Sequence, residues 1–207
     1  MERSDQPVVV AVTGASGSVY GRRVVTALLS LGHPVHLVFS EAGLATWRHE
    51  LGEVFEPGSL APGELRRLLV VHRVDDLFAP IASGSFPHRG MVVAPCSTRT
   101  LAAVAGGLSS NLITRAADVC LKERRSLVLV VRETPLSAVH LENMLTVTRA
   151  GAMVLPACPG FYHRPRTVDE MVGFVAARAL DHVVPGHGLG TVWNPAPAAA
   201  TAGNVFE

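Results

Sequence analysis

The stretch VVVAVTGASGSVYG, residues 8–21, decides how the rest of the chain is read. Val8 to Val12 is a continuous run of mostly β-branched residues, the pattern of a strand buried on both faces in a parallel sheet. A glycine-rich turn follows at once. Beyond it, RRVVTALLSLG places Val24, Val25, Leu28, Leu29 and Leu31 on one helical stripe and ends at Gly32, a C-cap signal. Strand, glycine turn and helix in succession open a βαβ unit.

The same alternation continues. Val35–Phe39 reads as the second strand and Ala42–Leu51 as the second helix. The stretch from Glu53 to Gly63, with its prolines and glycines, reads as a surface loop. Leu65–Val74 is open between a helix end and a short strand. Met91–Ala94 reads as a short buried strand stopped by Pro95. Ser126–Val131 and Ala152–Leu155 are further strands. Helices are expected over Thr98–Val104, Leu112–Glu123, Leu136–Ala150 and Val168–Val183. The pattern predicts a single-domain, Rossmann-like (flavodoxin-like) doubly wound parallel sheet in three layers, α/β/α. That domain is expected over residues 1–184, with a Pro/Ala-rich tail over 185–207.

The totals fit one domain. The chain has 207 residues, 48% of them hydrophobic and 17% charged, enough apolar material for a core and too little charge for disorder. A net charge of +1 argues against nucleic acid as a partner, so any anion must be met by a local cluster. Three cysteines without C-x-x-C give neither a disulfide framework nor a zinc site. The start reads as a strand rather than a signal peptide, and the longest apolar run is far short of a bilayer span. The expected location is the cytoplasm, with no membrane association. The nine histidines show no metal-ligand spacing, so no metal is expected.

In a doubly wound sheet, ligands lie beyond the carboxyl ends of the strands. The first exit, Thr13 to Gly21, offers backbone approach at its glycines and free N–H groups at a helix start, both suited to an anion. Its spacing is not G-x-G-x-x-G, and the second strand ends in Ser40 rather than an acid, so a dinucleotide site is not indicated. Ser16 and Ser40 face the same rim. The second exit carries Ser97, Thr98, Arg99 and Thr100. Hydroxyls there are either ordinary helix caps or a phosphate cradle, and their density favours the cradle. Cys96 beside them reads as a small buried residue, not a nucleophile. The third exit presents Arg132, whose planar fork suits a phosphate, and Glu133. The fourth, Pro156 to His163, packs helix-breaking residues and two aromatics into one loop. Ser83-Gly84-Ser85 is another small hydroxyl-bearing loop. Arg115, Lys122, Arg124, Arg125 and Arg178 otherwise read as solvated faces. Spacing alone gives a phosphate-binding α/β protein with more anion sites than one phosphate needs.

The segments TGASGSVYG, VHLVFS, ASGSF, APCSTRTLAAVA, NLITRAADVCLKERRSLVLVVRETPL, HLENM and PGFYHRP together resemble the flavin prenyltransferase (UbiX-like) family, collinearly from about Val8 to Asp181. The segment RAADVCLKERRSLVLVVRETP is the most specific. The resemblance implies an enzyme that joins a dimethylallyl group from dimethylallyl monophosphate to N5 and C6 of reduced FMN, without metal. The product, prenylated FMN, serves a UbiD-type decarboxylase. It also implies a homododecamer with active sites between subunits. Carried onto this chain, it places Gly14, Ala15, Ser16, Ser40, Ser97, Thr98, Arg99, Thr100 and Arg132 at FMN. It places Arg115, Lys122, Glu133, Tyr162, Arg178 and Trp193 at the prenyl donor. Ser16, Glu50, Lys122, Glu133 and Tyr162 become candidates for the chemistry, and Lys122 and Arg115 would reach in from neighbouring subunits. Two departures stand out: Leu77 and Phe78 occupy positions near which the family often has an aromatic, and Trp193 sits in an unusual setting, TVWNPAPAAA. The competing readings are an FMN-dependent cysteine-type decarboxylase of the same fold, and a non-catalytic flavin carrier.

Overall fold

The computed structural model describes residues 6–190. Trp193 and most of the Pro/Ala-rich tail lie outside the described residues. The elements run β1 (Val8–Val12), α1 (Ser18–Ser30), β2 (Val35–Phe39), α2 (Glu41–Leu51), α3 (Pro57–Leu60), β3 (Leu69–His72), β4 (Gly90–Cys96), α4 (Thr98–Ala105), α5 (Leu112–Lys122), β5 (Ser126–Val131), α6 (Ala138–Ala150), β6 (Met153–Pro156) and α7 (Val168–Leu180). All six strands pair in parallel, in the order β3-β2-β1-β4-β5-β6. The order reverses between β1 and β4, which makes the crevice between their carboxyl ends the switch point.

Each strand has a physical reason for its place. β1 and β4 are buried throughout because helices cover both faces. Val8, Val10 and Val12 belong to the core beneath α1, α2 and α7. Val9 and Ala11 belong to the core beneath α4, α5 and α6. The alternating Cβ direction of a strand sends one residue set to each layer. The doubly wound, three-layer expectation is what the chain forms.

The differences are local. α1 begins at Ser18, immediately after Gly17, so the glycine turn is shorter than its sequence implied. Gly17 is at φ 109°, a left-handed conformation that side-chain-bearing residues rarely adopt. The expected loop between Glu53 and Gly63 contains the one-turn α3. Pro57 opens it, its ring fixing φ for a first helical position. The ambiguous stretch resolves as a 3-10 turn over Gly63–Leu68 leading into β3. β4 does not stop at Pro95 but continues through Cys96. The register with β5 shifts between Val93 and Cys96, since proline has no N–H for the ladder. α6 starts two residues late because Ser137 caps it, accepting from His140 N–H, and α7 ends at Leu180. β6 is displaced by one residue, to Met153–Pro156.

Candidate active site

Three helix starts converge at the carboxyl ends of the strands. The first N–H groups of any helix lack partners within it and carry the positive end of its dipole. Ser40 caps α2, its Oγ accepting from Gly43 N–H at 2.9 Å. Ser97 caps α4, its Oγ accepting from Thr100 N–H at 3.3 Å and donating to Thr100 Oγ1 at 3.1 Å. Asn111 caps α5 through a reciprocal box with Thr114. These hydroxyls therefore do ordinary capping, and the same caps shape the rim of a cleft.

That cleft has a volume of about 590 Å³ and is lined by Gly14, Ala15 and Ser16 from the exit of β1, and by Ser40 to Ala42 from that of β2. Ser97 to Thr100 come from the exit of β4, Arg132 and Glu133 from that of β5, and Ser110 to Thr114, without Leu112, from the start of α5. All the residues expected at FMN are thus gathered in one cavity, with Glu133. Gly14 owes its identity to packing: a Cβ there would collide with Ala42 Cβ where β1 hands over beneath α2. A second hollow of about 560 Å³ lies between α1 and α7. Its Arg23 is paired with Asp169 at 3.3 Å, and the first turn of α7 enters the lining through the Glu170 carboxylate, so it lacks the anion-binding character of the first.

One expectation is corrected. The start of α1 is not open to an anion. Glu50, in the last turn of α2, places its carboxylate there and accepts from Gly17 N–H at 2.9 Å and Ser18 N–H at 2.8 Å. Partial burial works against the charged carboxylate. Hydrogen bonds from Ser16, Ser18 and Gly17 outweigh it and hold the pKa below the ordinary value. The glycine turn thus offers backbone and the Ser16 hydroxyl rather than a phosphate seat. The groups in the cleft suited to an anion are the starts of α4 and α2, Arg99 and Arg132.

Tyr20 escaped the sequence reading. Burial pushes its pKa up, Cys158 adds to this and Arg132 opposes it, so the three share one neighbourhood. A Cβ at Gly17 would stand 2.8 Å from the Tyr20 ring. The available signal was position: Tyr20 lies three residues after Gly17, in the first turn of α1. Cys96 and Cys120 are buried thiols pushed up to about 12, so neither supplies a thiolate near neutral pH.

Other expected residues lie elsewhere in the single chain. α5 runs back to the amino edge, where β5 begins at Ser126, and α7 ends close to Val183, whose carbonyl accepts from Arg89 at the entry to β4, so the last turns of these two helices, unlike that of α2, sit opposite the cleft. Lys122 ends α5 and Arg178 is in the last turn of α7. Lys122 pairs with Glu123 and stands against the Ser83–Ser85 loop, where a Cβ on Gly84 would be 2.5 Å from Lys122 Nζ. Arg115 donates to Ala82 O at 2.9 Å and pairs with Asp118 at 3.0 Å. Arg178 pairs with Asp181. Tyr162 is at the carboxyl edge beyond β6, edge-on to Phe174 at 5.8 Å, outside the cleft lining. Among the described residues no cluster of three or more His, Cys, Asp or Glu could hold a metal ion, and no helix is long and apolar enough to cross a membrane.

Comparison with known proteins gives the cleft a context. The family described as Flavoprotein matches residues 1–180. The chain is 47% identical over 195 residues to the flavin prenyltransferase UbiX of Halalkalibacterium halodurans, covering 89% of this chain and 91% of that one. It is similar to the crystal structure of AnUbiX (PadA1) in complex with FMN and dimethylallyl pyrophosphate, at TM-score 0.83 and 43% identity, over 93% of this chain and 100% of that one. It is also similar to a dodecameric FMN-dependent Ubix-like decarboxylase from Escherichia coli O157:H7, at TM-score 0.77 and 42% identity, over 84% and 93% of the two chains.

Proposed function

Given that the chain belongs to the flavoprotein family, and within it to the flavin prenyltransferases, we propose that it joins a dimethylallyl group to N5 and C6 of reduced FMN, drawing the group from dimethylallyl monophosphate. The observation that carries this reading is the division of anion-binding groups between opposite edges of one sheet. The cleft at the carboxyl edge holds three helix starts with Arg99 and Arg132. The amino edge holds the Ser83–Ser85 loop with Lys122, and Arg178 beyond it.

In the cleft, the first turn of α4 and Ser40 hold the phosphate of FMN. Gly14 to Ser16 lie against the ring, with the Glu50 carboxylate behind them. The reduced flavin would supply the electron-rich ring whose N5 takes the electron-poor allylic carbon as its bond to phosphate breaks. Loss of phosphate from the donor places positive charge on the prenyl group and negative charge on the leaving oxygens. Arg132 at the cleft, with Lys122 and Arg178 brought by another copy, stabilises the departing phosphate. Tyr162 and Tyr20 offer aromatic faces to the developing cation. Holding donor and ring side by side supplies proximity. Ser16, bonded to Glu50, and Glu133 are placed to move the protons that ring closure requires.

Because Lys122 and Arg178 lie at the far edge of their own sheet, a complete site needs the carboxyl edge of one copy against the amino edge of the next. This supports a homo-oligomer, and the dodecamer of the Escherichia coli relative supports twelve copies. Prenylated FMN leaves for a UbiD-type decarboxylase. A reducing cytoplasm is the proposed setting, consistent with the free thiols of Cys96, Cys120 and Cys158.

The test is direct. Protein, reduced FMN and dimethylallyl monophosphate are combined in chelator, and the flavin is weighed by mass spectrometry. Gain of one five-carbon prenyl unit is expected. Flavin of unchanged mass rejects the reading in favour of a carrier, and release of CO₂ from a peptidyl cysteine favours a decarboxylase.

A further inference from the structure

The side chain of Thr13 joins two turns that face each other across the switch point. Thr13 is the first residue beyond β1 and is only 1% exposed. Its Oγ1 accepts from Ser97 N–H at 2.8 Å and donates to Pro95 O at 2.8 Å. A hydroxyl has one proton and two lone pairs, so both bonds form at once and fix its rotor. The backbone N–H of Thr13 reaches the same Pro95 carbonyl at 3.2 Å, and Ala15 N–H returns to Thr13 O at 2.9 Å. Paired residues of β1 and β4 end at Ala11 and Val93. Beyond that point Thr13 carries the connection between the two strands.

What it connects matters for the cleft. On one side, the Thr13 carbonyl folds the Gly14–Ser16 turn. On the other, its hydroxyl orients the amide of Ser97, the cap whose side chain sets the first turn of α4. Both turns line the cavity, whereas Thr13 itself does not. Such a hydroxyl is costly to replace, since removing it leaves the Ser97 amide without its acceptor, while the Pro95 carbonyl keeps the Thr13 N–H.

We propose that Thr13 is a positioning residue for flavin phosphate: it holds the Ser97–Thr100 turn at a set distance and angle from the Gly14–Ser16 turn, without touching the ligand. The inference deepens the reading of the cleft as an FMN site and rests on it. Thr13→Val keeps the branched shape at the strand exit and removes both side-chain bonds. Thr13→Ser keeps the hydroxyl and removes only the methyl.

Three readouts separate this role from general stability. Dissociation constants for FMN and for riboflavin, which lacks the phosphate, are measured by quenching of flavin fluorescence. Hydrogen exchange over residues 97–101 is followed without ligand. Thr13→Val is expected to weaken FMN about tenfold, the scale of one lost buried hydrogen bond. Riboflavin affinity should change by less, exchange at 97–101 should quicken, and Thr13→Ser should restore all three. Thr13→Ala provides the same loss if the valine variant does not fold. The proposal is overturned by wild-type FMN affinity in Thr13→Val, by equal losses for FMN and riboflavin, or by a serine variant as weak as the valine. Wild-type protein that binds neither flavin would sink the cleft assignment instead. Exchange at 97–101 then decides the tie by itself, unchanged rates in Thr13→Val refuting it.

Discussion

The Glu50 carboxylate bridges from the last turn of α2 to the amide of Gly17, the N-cap of α1, with Oε2 at 2.9 Å and Oε1 at 3.0 Å from Gly17 N. It serves where a side-chain cap would stand, because Gly17 has no side chain and the αL conformation there excludes most residues that do.

Glu50→Gln should therefore lower stability by about 0.5–1 kcal/mol at neutral pH, the scale of a charge at a partly exposed helix start. The sign with pH follows from the depressed carboxyl pKa. The contribution is present above the unfolded value, 4.5, and is lost as pH falls through the lower folded value. Urea denaturation at pH 7 and pH 3.5 checks this. The gap between wild type and variant should close in acid, and a gap of equal size at both pH values would refute it.

How far the sequence could carry the reader depends on distance along the chain. β1, β2 and β5 were legible because full burial leaves an unbroken apolar run. The lining of the cleft was legible because every strand exit is a local feature, readable at Gly14–Ser16, Ser97–Thr100 and Arg132. Glu50 as the cap of α1 was not, since it acts across more than thirty residues on a backbone amide that no pattern marks. Nor could spacing place Lys122 and Arg178 at the edge opposite the cleft. That follows only once the strand order and helix directions are known. Thr13 read as the end of a strand until its hydroxyl was seen to hold Ser97.

A second pH dependence arises under the Ser83–Phe86 loop. His36 Nδ1 lies 2.9 Å from His72 Nε2, the His36 and Phe86 rings are 5.2 Å apart, and Phe86 stacks on His88. Burial first, then neighbouring histidines, pushes His36 down to about 4. Burial and Arg125 push His88 down to about 4, and burial lowers His72 against the pull of Asp76. A histidine whose folded pKa lies below its unfolded value, 6.5, is neutral in the native state and binds protons first in the unfolded chain. Stability should be full above pH 6.5 and fall as pH drops from 6.5 towards 4. His36→Leu should make that slope shallower in urea titrations between pH 7.5 and pH 5. An unaltered slope would show that the cluster titrates alike in both states.

The two edges should separate binding from turnover. Arg132→Ala removes a guanidinium that lines the cleft, and FMN affinity should fall about tenfold or more, the worth of a charge-assisted contact. Lys122→Ala leaves the cleft of its own chain untouched. FMN affinity should stay within about twofold of wild type while kcat for prenyl transfer falls about 10²–10³-fold, as when one preorganised charge on a leaving group is lost. Flavin fluorescence titration and timed mass spectrometry of the product give the two numbers. Loss of FMN binding in Lys122→Ala would show that this lysine supports the flavin instead of the donor.

Those two variants also test whether one site draws on two copies. Each homogeneous variant lacks one edge at every site. When the two are unfolded together, mixed in equal amounts and refolded, random assembly places an intact carboxyl edge from Lys122→Ala against an intact amino edge from Arg132→Ala at about a quarter of sites, the product of two halves for a head-to-tail contact. Assayed with FMN below its dissociation constant, where both parents are weak, prenyl transfer should recover to about a quarter of the wild-type rate, above the average of the two parents. The expectation follows from the proposed site, because Lys122 closes α5 at one edge of the sheet and Arg132 leaves β5 at the other, so a single copy holds the two apart. A mixture no more active than the average of its parents would mean that each copy works alone, and the donor site would have to be sought within the cleft itself.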